Sequence, residues 1–86
     1  MNADELIKNV QEIFPRLTNL PIDGIIGISK NEEGWVVTLE ALERRGIPDT
    51  MDIVGIYEVH LDNNGGLLSF ERKRLRKRGD TKEEQH

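Results

Sequence analysis

The chain of 86 residues contains no cysteine, so it has no disulfide framework and no thiolate to act as nucleophile or metal ligand. Aromatic residues are scarce, with one Trp, one Tyr and two Phe, too few for the stacking platform of a single-strand nucleic-acid binder. Only two histidines are present, His60 and His86. Without cysteine they do not make a typical zinc site. No apolar run approaches the roughly 18 residues that a membrane span needs, and the first residues are acidic, unlike a signal segment. There is no phosphate-cradling glycine loop and no spacing that brings Ser, His and Asp together. These absences lead us to expect an intracellular protein that is not an enzyme, with no catalytic residue, no cofactor and no metal.

What the chain does have is segregated charge. It carries 12 basic and 16 acidic residues, a net of −4. Six of the basic residues, Arg72, Lys73, Arg74, Arg76, Lys77 and Arg78, fall within seven positions, while the preceding 71 residues hold five basic and thirteen acidic side chains. Three readings of this tract are open. It is a solvated edge strand guarded by charge against sheet-to-sheet pairing, a docking surface for an acidic partner protein, or a contact to nucleic-acid phosphates. The six residues are the candidate partner-binding set.

Hydrophobic spacing supplies the elements. Leu6, Ile7, Val10, Ile13 and Phe14 recur at helical intervals, with Leu17 extending the stripe, and Asn2 followed by Glu5 resembles a capping box. A helix over 2–14 is predicted, ended by Pro15. Strands are predicted over 22–30, 35–44, 52–61 and 67–76. In the first, Ile22, Ile26 and Ile28 alternate, and Gly24 with Gly27 suggests an edge or a bulge. Asn64-Gly65 predicts a two-residue turn that sets Tyr57 opposite Arg72, Glu58 opposite Glu71, Val59 opposite Phe70 and Leu61 opposite Leu68. Lys73 is then needed to offset the two glutamates.

The expected architecture is α+β: an N-terminal amphipathic helix packed on one face of a four-stranded antiparallel meander sheet, with Trp35, Leu39, Tyr57, Val59 and Phe70 at the core. Residues 1–78 form one domain and 79–86 a polar, disordered tail. His60 reads as a surface strand histidine. Glu40, Glu43, Asp49, Asp52 and Glu58 read as a solvated face balanced by Arg44, Arg45 and the last strand, and Asp49-Thr50 as a cap before the third strand. The edge at Ile22–Lys30 offers pairing with a second copy, so a monomer or weak homodimer is expected.

Together these residues resemble the gas vesicle protein GvpO family. The resemblance runs through Gly34-Trp35-Val36-Val37-Thr38-Leu39-Glu40, Ile47-Pro48-Asp49-Thr50-Met51-Asp52 and Tyr57-Glu58-Val59-His60-Leu61-Asp62. It continues through Leu67-Leu68 and Phe70-Glu71-Arg72 to Arg74 and Arg76, with Ile47–Asp62 the most specific part. The resemblance implies a non-enzymatic accessory factor in building gas vesicles, the protein-walled compartments that confer buoyancy. It implies a cytoplasmic protein, associated with gas vesicles, whose partners are other gas vesicle proteins. The alternative is a small regulatory domain that touches nucleic acid through the basic strand.

Overall fold

The computed structural model describes residues 1–79. In chain order these form helix α1 (Ala3–Thr18), strands β1 (Ile22–Lys30) and β2 (Gly34–Arg44), a single 3₁₀ turn (Asp49–Met51), and strands β3 (Ile53–Asp62) and β4 (Leu67–Lys77). The strands make one antiparallel sheet in the order β1-β2-β3-β4, so the expected helix-plus-meander is the fold. The expected tail lies outside the described residues except for Gly79, whose N–H donates to the Thr50 carbonyl at 2.9 Å.

Helix α1 starts as its sequence dictates. The Asn2 side chain accepts from the Glu5 N–H at 2.9 Å, and the Glu5 carboxylate accepts from the Asn2 N–H at 3.2 Å. It does not stop at Pro15, as the sequence reading expected, but runs to Thr18. Proline removes only one donor, the one that would reach the Gln11 carbonyl. Burial of Phe14 in the core outweighs the local preference of a residue before proline. The true stop is Asn19, which is left-handed at φ 61° and donates its N–H to the Pro15 carbonyl at 2.8 Å.

The helix buries Leu6, Val10 and Phe14 against Val37, Leu39 and Ala41 of β2 and Tyr57, Val59 and Leu61 of β3. One helix is about 10–12 Å across with its side chains and strands are about 4.8 Å apart, so it covers the two central strands and leaves the edges. Two expected core residues sit at the rim, Trp35 at the start of central strand β2 and Phe70 on edge strand β4. Trp35 is half-buried with the Lys30 ammonium 5.3 Å from its ring centroid, and Phe70 is exposed, edge-on to Phe14 at 5.9 Å. Leu17 is exposed as well.

Register shifts correct the simple alternation twice in β1, once between β2 and β3 at Leu42/Arg44, and twice between β3 and β4. In β1 the register shifts between Ile22 and Gly24 and again between Ile25 and Gly27. Ile22, Ile25 and Ile28 then pack on the core, while Ile26 is exposed. The β3–β4 turn is longer than the expected two residues. Asp62 accepts the Gly65 N–H at 3.0 Å, Gly65 takes φ 85°, and Asp62 Oδ1 accepts from the N–H groups of Asn64 and Gly66. A type I turn closed by a left-handed glycine is the result. It sets Leu61 opposite Leu67 instead of Leu68, whereas the Val59–Phe70, Glu58–Glu71 and Tyr57–Arg72 pairings are as expected.

A further bulge lies between Ile56 and Tyr57, where Arg72 pairs with Tyr57 but Arg74 pairs with Ile56. Arg72 therefore lies on the helix face of the sheet, and Arg74 and Arg76 on the far face. No helix covers that far face among the described residues, yet Val54 and Ile56 are only 0% and 8% exposed. Arg76 sits opposite Val54 and bonds Glu40, the cross-strand neighbour of Ile56. Val54 and Ile56 thus lie on the strand face that carries Arg74 and Arg76, where a long side chain can cover apolar groups with its stem.

Buried as it is, Ile56 should behave as a core site, and Ile56→Ala should lower unfolding free energy by about 2 kcal/mol or more. A loss within about 0.5 kcal/mol in urea denaturation would mark Ile56 as a surface position.

Candidate functional site

The basic tract is the sequence's strongest signal, and the structure distributes it over several places. Arg72 approaches Glu43 at 3.7 Å. Lys73, the bulged residue, bonds Glu71 at 2.9 Å and lies 3.8 Å from Glu58, supplying the offset that the facing glutamates require. Arg76 makes two bonds to one oxygen of Glu40, the one from Nε at 3.0 Å, and both side chains are under one-fifth exposed. Arg78 binds both oxygens of Asp23 at 2.8 and 2.9 Å and reaches Asp52 at 3.2 Å. It thereby ties the end of β4 to β1 and to the start of β3. Arg74 is also partnered. Lys77 makes no ion pair with a described residue.

These pairings explain most of the carboxylates read as a solvated face. Asp52 is buried and accepts the Gly46 N–H at 2.6 Å, so Asp52, not Asp49, caps this turn. No Asp49 or Thr50 side-chain cap forms at the 3₁₀ turn. The Arg78 guanidinium holds the Asp23 carboxyl below its ordinary value.

A second network lies on the helix face. Tyr57 donates its hydroxyl to Glu43 at 2.5 Å, and its ring meets Phe14 edge-on at 5.1 Å. Gly55 leaves the space that the Glu43 carboxylate fills, since a Cβ there would collide with it. Burial first, and the Glu43 carboxylate second, push the Tyr57 hydroxyl up to about 12. A nucleophile or base needs a pKa moved toward neutrality, and this shift is in the other direction. The group is a structural donor.

Glu58, His60 and Glu71 bring ligand-type atoms within 4.8 Å of one another, with His60 Nε2 3.6 Å from Glu58. The Lys73 ammonium sits on the same carboxylates and satisfies them electrostatically. A shallow cleft between α1 and β1 is lined by Gln11, Pro15, Pro21, Ile22, Asp23, Gly24 and Ile25, and its single titratable group, Asp23, is already held by Arg78. No nucleophile–base pair is assembled among the described residues.

Sequence reasoning missed one feature, the end of the sheet where β2 turns into β3. Arg44 faces Ile53, which faces Lys77. Beside them Ile47 is 98% exposed, and Met51, Arg44 and Arg45 are exposed too.

Comparison with known proteins gives this frame its context. The family model for the gas vesicle synthesis protein GvpO matches residues 1–82. The chain belongs to the GvpO family. It is 44% identical over 62 residues to gas vesicle protein O1 of Halobacterium salinarum, covering 72% of this chain and 52% of that protein. It is 40% identical over 75 residues to gas vesicle protein O of Haloferax mediterranei, covering 86% and 54%. A gas vesicle protein O of a Streptomyces species is 36% identical over 63 residues, covering 73% and 49%. The chain thus spans about half the length of these curated relatives. No solved structure matches it.

GvpO membership supports a role in gas vesicle formation, and no enzymatic name occurs among the relatives. No helix among the described residues is long and apolar enough to cross a membrane. The segment Ile47–Asp62, on which the family resemblance rested, comprises the exposed loop, the 3₁₀ turn and β3, so it spans both the presented surface and the centre of the sheet.

Two titrations check these networks. A depressed carboxyl stabilises the fold above its unfolded pKa, and that contribution is lost as pH falls through the lower folded value. For Asp23 the loss should begin below about pH 3.8. Arg78→Ala should be less stable at pH 6 and should lack this acid-dependent decline in urea titrations at stepped pH. Tyr57 is the single tyrosine, so tyrosinate absorbance reads it alone. Its midpoint should lie near 12 and fall in Glu43→Gln. Because its folded pKa is raised, stability should decline between about pH 10 and 12. A native midpoint at about 10 contradicts the buried Tyr57–Glu43 bond.

Proposed function

We propose that this chain is a non-enzymatic accessory factor in gas vesicle assembly that acts through contacts with other gas vesicle proteins, in the cytoplasm and at the growing vesicle. The observation that carries the reading is where the unburied apolar surface lies. Ile47, Met51, Leu68, Phe70, Leu75 and Leu17 are exposed on a small domain that assembles no nucleophile–base pair among the described residues. Exposed apolar groups together with an absence of poised catalytic chemistry are what a docking module presents.

The last strand contributes differently from a ribbon of free arginines. For Arg72, Lys73, Arg76 or Arg78 to contact a partner, that partner must share or replace a carboxylate already in place. The same exchange weighs against nucleic-acid binding through this tract, because each phosphate contact would compete with an internal ion pair.

The test is genetic and biochemical. In a host that builds gas vesicles with this protein, deleting its gene should abolish or sharply reduce vesicles. The tagged protein should co-purify with other proteins encoded in the same gene cluster. Normal vesicles after deletion, with no gas vesicle protein co-purified, would overturn the reading. A shift of labelled duplex DNA at low salt would favour a regulatory role.

A further inference from the structure

Five of the eleven Lys and Arg side chains among the described residues make no ion pair. Among the described residues, Lys8, Arg44, Arg45 and Lys77 have no carboxylate partner and Lys30 bonds Asn63. Three of these, Arg44, Arg45 and Lys77, lie at one end of the sheet, with Arg44 and Lys77 flanking Ile53 across three strands. At the same end stand Ile47, the most exposed large apolar residue, and Met51. The loop's exposed carboxylate, Asp49, makes no ion pair either.

The loop that presents Ile47 is fixed at both ends. Gly46 donates to buried Asp52 at 2.6 Å, and Met51 donates to the Pro48 carbonyl at 2.9 Å. Asp52 donates its N–H to the Asp49 carbonyl at 3.0 Å. Arg78 and Gly79 close over it, donating their N–H groups to the carbonyls of Asp52 and Thr50 at 2.7 and 2.9 Å. Gly46 packs so closely on Met51 that a Cβ would clash. The Arg78–Asp52 pair therefore serves this end of the molecule as a clamp. A loop held this way loses little freedom when something binds to it.

We infer that Arg44, Arg45, Ile47, Met51 and Lys77 form a docking surface for a protein segment that presents one apolar side chain flanked by carboxylates. This rests on the assembly reading above and names the chemistry of the partner. The apolar contact is the anchor, because a desolvated aliphatic group contributes more than exposed charges do. The three cations select an acidic segment and make binding weaken with salt.

The experiment uses the full chain and overlapping synthetic peptides that tile the other gas vesicle proteins of the same organism, with affinity read by fluorescence anisotropy. Bound peptides should combine an apolar residue with neighbouring carboxylates. Ile47→Asp should weaken them about tenfold or more without changing the thermal melt, since Ile47 touches no core. The triple variant R44A/R45A/K77A should weaken them and flatten the salt dependence, while Ile26→Asp, exposed on the opposite edge strand β1, should leave affinity unchanged. The inference is overturned if Ile47→Asp binds every peptide normally, if no peptide binds, or if the bound peptides are basic. It is equally overturned if duplex DNA or phosphatidylglycerol vesicles, but no peptides, bind through Arg44, Arg45 and Lys77. Should gas vesicle proteins still co-purify in any of these cases, the assembly reading stands and only the surface is wrong. If none co-purifies even with the unaltered chain, the assembly reading itself fails.

Discussion

One 16-residue helix must cover a four-stranded sheet, and it can cover only one face and only the middle of that face. The rest of the molecule is shaped by this shortage. On the far face, Val54 and Ile56 are buried although no helix covers them among the described residues, and Arg76, the cross-strand partner of Val54, is bonded to Glu40, the cross-strand partner of Ile56. Shielded, well-oriented pairs of this kind resist removal of one partner far more than exposed pairs do. Arg78 performs the matching service at the edge, joining β4 to Asp23 and Asp52. Arg72, Arg76 and Arg78 of the arginine-rich tract are thus engaged with carboxylates of the same domain.

Much of this was legible in the amino-acid order. Period-2 alternation in residues 35–44 and 52–61 located β2 and β3, and the Asn2–Glu5 box located the start of α1. The opposition of Glu58 and Glu71, with Lys73 as the remedy, followed from counting back from the turn. Gly24 and Gly27 signalled the irregularity of β1, but its phase and the β3–β4 bulge were not legible, because one extra residue costs little locally and is decided by how two strands twist against each other. That is why Ile26 exchanged places with Ile25, and why Arg72 parted company with Arg74 and Arg76. The helix end was misread for a similar reason. Pro15 is a local signal, whereas the burial of Phe14 is a tertiary one, and only Asn19 hinted at the true stop.

The interaction surface was the least legible part. Charge density drew attention to residues 72–78, but density says nothing about pairing. Arg44 and Arg45 are an unremarkable dipeptide, and Ile47 a single apolar residue before a proline. Their significance comes from the register that sets Arg44 and Lys77 on either side of Ile53, and from the buried Asp52 that immobilises the loop. The paired arginines join strands of the sheet, and Arg44 and Arg45 are the cations on which the docking proposal rests.

The central claim is that the β4 arginines are part of the fold, and a double-mutant cycle on Arg76 and Glu40 measures it most directly. With Arg76→Ala, Glu40→Ala and the double variant compared by urea denaturation, the pair should show a coupling energy of about 1.5–3 kcal/mol, as for a shielded charge-assisted bond. A coupling near zero, the usual result for an ion pair free in solvent, would contradict the account and return the arginines to the surface.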